Sequence, residues 1–252
     1  MGTGIKESIY HSPLSEQEVY SYRSGVPLIP SSEYSIFFDD LYGETASNAY
    51  PGTTAIIDTG ATIAGTEVDD ISENGAIRIT DATASEGAAL FWPRGIQLGN
   101  GDKFIMEVRV QTSDVTDNAL QFGLSDLTSV TNPEDLYTTA SANLITFGIL
   151  DGDATVTMLC DKDNAGAAAN LGSIDLSAAT WHILAIEVYG TAASANMGVK
   201  GYVDGKLAIT WDTETEIPDD LVLAPFIAMV NGNGGGGNTS DWDYVRWAIK
   251  RN

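Results

Sequence analysis

The residues best placed for chemistry are the acids of Trp211-Asp212-Thr213-Glu214-Thr215-Glu216. In an extended strand, Asp212, Glu214 and Glu216 would project from one face, with neighbours about 6.5–7 Å apart. A retaining glycosidase needs two carboxyls roughly 5–5.5 Å apart, one as nucleophile and one as acid. The run leads directly into Ile217-Pro218, which suggests a strand edge or a loop. Acids in such a place also serve to discourage strand–strand aggregation. The sequence therefore assigns no catalytic residue, and the expectation is a protein that is not an enzyme.

Metal and sugar binding come next. Asp161-Lys162-Asp163-Asn164-Ala165-Gly166 begins like an EF-hand loop, but Ala165 and Gly172 stand where a ligand and a bidentate glutamate belong. Asp151, Asp153, Asp39 and Asp40 could supply hard oxygen ligands, so no metal ligand is assigned and calcium is the one cofactor left open. Sugar binding needs exposed aromatics beside polar groups. Tyr42, Tyr50, Tyr137, Tyr202 and Trp242 lie at expected strand ends or in polar surroundings, and Tyr202 and Trp242 are chosen as glycan contacts. Core packing is the commoner use of both residue types. The glycine-rich stretch after Asn231 reads as a surface loop, since no Lys-Ser/Thr and helix follow as a phosphate loop requires.

Other reactive side chains are scarce. One cysteine, Cys160, and two histidines, His11 and His182, leave no material for an internal disulfide or a Cys/His zinc site. Cys160 reads as a small buried residue, and His182, beside Trp181 in an apolar run, as a structural histidine. Thirty-five acidic against 12 basic residues give a net charge of −23. That balance repels a phosphate backbone and an anionic membrane surface. No apolar run approaches the length of a spanning helix, and Met-Gly-Thr-Gly-Ile-Lys-Glu lacks the apolar core of an ordinary signal peptide.

The elements that must position these groups are strands. In 103–111, Phe104, Met106, Val108 and Val110 share one face while Lys103, Glu107, Arg109 and Gln111 share the other. Ile77 and Ile79 alternate with Arg78 and Thr80 in the same way. Residues 181–189 are apolar on both faces apart from Glu187, which suits a central strand, and 199–211 reads as a hairpin turning at Asp204-Gly205. Further strands are expected at 35–39, 88–92, 120–124, 144–150, 155–160, 223–230 and 242–250. The spacing predicts an all-β protein, an antiparallel β-sandwich or jelly roll, as one domain over 32–252. Residues 1–31 read as an N-terminal arm with a short helix starting at Ser12-Pro13. Its apolar residues, among them Tyr10, Tyr20, Tyr22 and Leu28, pack along their own domain or dock on a neighbouring subunit.

Two segments carry a family resemblance. Trp181-His182-Ile183-Leu184-Ala185-Ile186-Glu187-Val188 and Val199-Lys200-Gly201-Tyr202-Val203-Asp204-Gly205-Lys206 resemble the W-H … Y-V-D-G-K pattern of concanavalin A-like and laminin-G-like sandwiches. The resemblance implies that fold, which hosts lectins, glycosidases, adhesion modules and virion proteins. Laminarinase-type members carry a Glu-x-Asp-x-Glu strand motif, from which Asp212 and Glu214 depart. An acidic sandwich with an arm and a single cysteine also resembles structural proteins of tailed-bacteriophage particles. That resemblance implies a non-catalytic capsid decoration protein of the virion, partnered by capsid proteins and forming a homo-oligomer such as a trimer. The alternative is a lectin-like carbohydrate-binding module or tail adhesin, with a glycan as partner.

Overall fold

The computed structural model describes residues 34–39, 41, 54–58, 60–66, 76–81, 83, 85–92, 95–98, 103–126, 132–136, 143–163, 169–190, 197–232 and 237–250. The strands are β1 (Tyr34–Asp39), β2 (Thr54–Ile57), β3 (Ala61–Thr66), β4 (Ala76–Asp81), β5 (Gly87–Phe91), β6 (Ile96–Gln97), β7 (Phe104–Thr112) and β8 (Asn118–Ser125). They continue as β9 (Leu144–Ile149), β10 (Thr155–Asp161), β11 (Asn170–Asp175), β12 (His182–Tyr189), β13 (Gly198–Val203), β14 (Lys206–Trp211), β15 (Val222–Asn231) and β16 (Asn238–Lys250). Among the described residues, helix is confined to 3-10 turns such as Pro133–Leu136 and Glu214–Glu216. The expected arm, including Tyr10, Tyr20, Tyr22 and Leu28, lies outside the described residues.

Two antiparallel eight-stranded sheets face each other. The first runs β14-β13-β12-β7-β16-β4-β3, with β1 also on β16. The second runs β11-β10-β9-β8-β15-β5-β2, with β6 also on β15. The long β16 serves two partners on one edge: β4 pairs with its start, opposite Asn238 to Trp242, and β1 with its end, opposite Val245 to Lys250.

Alternation sets the facing of the first sheet. In β7, Phe104, Met106, Val108 and Val110 are buried while Arg109 and Gln111 are half-exposed on the solvent side. The second sheet is different, for β8 and β9 are buried along their whole length. Phe122 and Phe147, opposite each other across β8 and β9, meet edge-on with centroids 6.0 Å apart. Phe147 reaches across to Gly201 of β13, where an added Cβ would lie 2.7 Å from the ring. That contact identifies the inner face.

The β13–β14 hairpin turns as expected. Asp204 and Gly205 take φ of 44° and 79°, both positive as a type I′ turn demands. Four strands went unpredicted: β2, β3, the two-residue β6 and β11. The last shows alternating exposed and half-exposed residues with no apolar face.

Candidate functional site

The acidic run does not form a face. Asp212 and Thr213 leave β14 exposed, and Glu214–Glu216 coils into a 3-10 turn closed by Glu216 N–H to Thr213 O at 3.1 Å and Ile217 N–H to Glu214 O at 3.0 Å. Ile217 is fully buried, and anchoring it draws the chain out of extension. The extended-strand arrangement assumed for Asp212, Glu214 and Glu216 is therefore absent.

The two glycan-contact candidates fare differently. Trp242 belongs to the core: it is 0% exposed, and its indole N–H donates to Ser240 Oγ at 2.9 Å, so no glycan reaches it. Its place in β16, in register with Val110 of β7, points it inward. Tyr202 lies half-buried on the solvent side of the first sheet, with its hydroxyl donating to Glu187 Oε2 at 3.0 Å. Burial and the Glu187 charge push its phenol well up.

Around Tyr202 the solvent side is a ladder of committed side chains. Arg78 grips Asp241 through two hydrogen bonds of 2.6 and 2.8 Å, Arg109 holds Asp243 at 2.7 Å, and Lys103 meets Glu187 at 2.6 Å. Buried Glu107 takes hydrogen bonds from Arg246 and from the Tyr244 hydroxyl. Cations also cover the rings, with Arg109 4.6 Å from the Trp181 centroid and Lys200 4.7 Å from that of Tyr189. These aromatics offer no open stacking platform.

One end of the sandwich gathers acidic and amide side chains. Asp81 closes β4 at 0% exposure; its Oδ1 accepts Thr83 N–H at 2.8 Å, and the backbone N–H of Asn231 also favours its carboxylate. Glu86 Oε2, before β5, is buried and meets no hydrogen-bond donor among the described residues. It occupies space left by Gly60, where an added Cβ would stand 2.3 Å away. Asp58 Oδ2 accepts Gly87 N–H at 3.0 Å. Asn231, ending β15, ties these turns together. It gives its N–H to Glu86 O at 2.9 Å, takes Ser85 N–H at 2.8 Å and accepts Asn238 Nδ2 at 2.9 Å. Opposite it, Asn118 donates to Thr112 Oγ1 at 2.7 Å and leaves its own Oδ1 unmatched.

Burial raises the carboxyls of Asp58 and Asp81, and Glu86 adds its charge to both. Glu134, from the Pro133–Leu136 turn, is raised by burial and by Asp58, Asp135 and Glu86. Nothing in the sequence singled these residues out: they sit on separate turns, and Asp and Asn at strand ends are ordinary turn chemistry. Among the described residues no three acidic, histidine or cysteine side chains converge as a metal site. Of the calcium candidates, Asp153 spends Oδ1 on Thr155 N–H at 2.8 Å, and Asp161 is fully buried.

Raised folded-state carboxyls mean that folding at neutral pH must ionise groups the fold prefers protonated. That destabilisation is relieved as pH falls through the raised folded-state range towards the ordinary carboxylate value near 4. Below that value, the lowered carboxyls of Asp114 and Asp153 lose their stabilising contribution. The melting temperature should therefore rise as pH falls from 7.5 towards the ordinary carboxylate value near 4, and fall below it. Asp81→Asn should raise it at pH 7.5 and flatten the rise. Calorimetry across this range checks both, and a wild-type melting temperature that falls steadily from pH 7.5 would refute the account.

No protein-family model matches the chain, and no curated protein matches it. Solved structures do. The Emp47p carbohydrate recognition domain superposes with a TM-score of 0.56 at 13% identity, over 87% of this chain and 98% of its own. Peanut lectin gives 0.53 at 11%, over 86% and 98%. Arcelin-5, a lectin-like defense protein from Phaseolus vulgaris, gives 0.56 at 10%, over 88% and 100%. At such identities what is shared is architecture. The chain is an all-β, two-sheet antiparallel sandwich of the lectin-like, concanavalin A-like jelly-roll fold.

Proposed function

We propose that this protein is a non-catalytic, lectin-like carbohydrate-binding domain. The supporting observation is the two-sheet antiparallel sandwich that it shares with the Emp47p carbohydrate recognition domain and peanut lectin. The solved structures with this architecture named above include a carbohydrate recognition domain and a lectin. They lend no support to a virion decoration role, and the arm on which that reading leaned lies outside the described residues.

The test is a glycan array probed with the folded wild-type protein, with and without calcium. The expected result is a reproducible hit on a defined set of glycans. No hit in either condition would overturn the proposal.

A further inference from the structure

His182, at the start of β12, is held at both ring nitrogens. Nδ1 lies 2.7 Å from Asp204 Oδ2, and Nε2 accepts the backbone N–H of Ser177 at 3.1 Å. Asp204 is itself fixed, since its Oδ1 accepts Ile183 N–H at 2.9 Å and its own N–H donates to Ile183 O at 2.8 Å. Accepting a backbone N–H requires a lone pair on Nε2, so the proton must sit on Nδ1 and point at Asp204. The ring is therefore neutral in this arrangement.

The segment so held, residues 177–180, is exposed throughout. Its other backbone tie is Ala179 N–H to Thr112 O at 2.7 Å. Ala179 has φ of 52°, a left-handed conformation that an alanine adopts under constraint. Holding it depends on the flanking ties.

We propose that His182 is a pH-operated latch on the 177–180 loop: neutral, it clasps Ser177, and protonated, it lets the loop go. A proton added at Nε2 meets the Ser177 N–H head-on, so that hydrogen bond cannot survive. The Nδ1–H···Asp204 bond meanwhile becomes charge-assisted and tightens. Acid thus strengthens the grip on the β13–β14 turn while freeing the loop, and Ala179 relaxes. Asp204 is the charged group on the ring. β7 places Val110 in register with His182, and its Arg109 faces the opposite side, on Asp243 and Trp181. Asp175 ends β11 with Oδ1 taken by Thr155, and Lys206 opens β14 beyond the turn. The latch is independent of glycan binding.

Nitrogen-15 NMR of the full chain tests it, with ring shifts reporting protonation and hydrogen exchange reporting the Ser177 amide. At pH 7.5 the ring should show the Nδ1–H tautomer. As the ring protonates, the Ser177 protection factor should fall about five- to ten-fold with the same midpoint, the worth of one neutral hydrogen bond. In His182→Gln an amide oxygen can accept from Ser177 but cannot titrate, so protection should hold across the range. Because that variant keeps Asp58, Asp81, Glu134 and His11, it separates the latch from every other group titrating there. An Nε2–H tautomer at pH 7.5, or Ser177 protection unmoved while the wild-type ring protonates, would overturn the proposal.

Discussion

Replacing Gly148 with alanine should cost about 3 kcal/mol or more and lower the melting temperature by roughly 6–12 °C. The obstacle is backbone. A Cβ at 148 would stand 1.8 Å from Leu120 O, 2.8 Å from its carbonyl carbon and 3.1 Å from Gln121 Cα. No rotamer change relieves those contacts, so β8 and β9 must separate in the middle of a sheet buried on both sides. Gly123→Ala should behave alike, since its Cβ would lie 1.9 Å from Ile145 O. Gly152 supplies the control: its φ is +88° and nothing lies within 4 Å of an added Cβ. Alanine there should cost only about 1 kcal/mol of conformational strain. Thermal melts of the three variants decide the matter. Equal losses at 148 and 152 would refute the close-approach argument.

Arg246→Ala should be comparably damaging, at about 3–5 kcal/mol, because it strips the cation from a carboxylate that cannot rehydrate. Glu107 is 1% exposed, and without Arg246 it keeps only the Tyr244 hydroxyl at 2.7 Å, while its Oε2 already has no donor. Burial and the Glu107 charge push the Tyr244 phenol far up, so the hydroxyl remains a donor but brings no charge. Glu107→Gln in the Arg246→Ala background should restore most of the loss by removing the uncompensated charge. Urea denaturation of the two single variants and the double closes the cycle. A double variant no more stable than Arg246→Ala would show that guanidinium packing, and not charge, is what Arg246 contributes.

The strands legible in the sequence are those whose two faces see different surroundings, or whose turn has a single good solution. β7 announces itself by strict alternation, and the β13–β14 hairpin by Asp204-Gly205. β2 and β3 are short and rich in Ala and Thr, and β11 buries little, so none projects a pattern above its flanking loops. The same limit explains Trp242 and Tyr202. Both sit in polar-looking stretches: the register of β16 against β7 turns Trp242 inward, and that of β13 against β12, with Tyr202 opposite Ala185, leaves Tyr202 on the solvent side. His182 read as structural, but its partner Asp204 lies 22 positions away and becomes visible only when the hairpin brings the two together. Asp58, Asp81, Glu86, Asn118 and Asn231 were illegible because polar residues at strand ends are ordinary turn chemistry. Their convergence exists only in three dimensions.

The paired ladder on the solvent side of the first sheet also gives the molecule a polarity. Arg78, Lys103, Arg109, Lys200 and Arg246 stand there, and the other Lys and Arg residues of the described chain are Lys162, Lys206 and Lys250. A chain of net charge −23 thus spends most of its described positive charge on one wall, where Asp241, Asp243, Glu107 and Glu187 bring that wall close to neutral. Among the described residues this wall is therefore the part of the surface where positive charge offsets negative most fully. At low ionic strength it meets an approaching anion or a second copy with less repulsion than the acidic strand ends and turns do, and added salt weakens that difference.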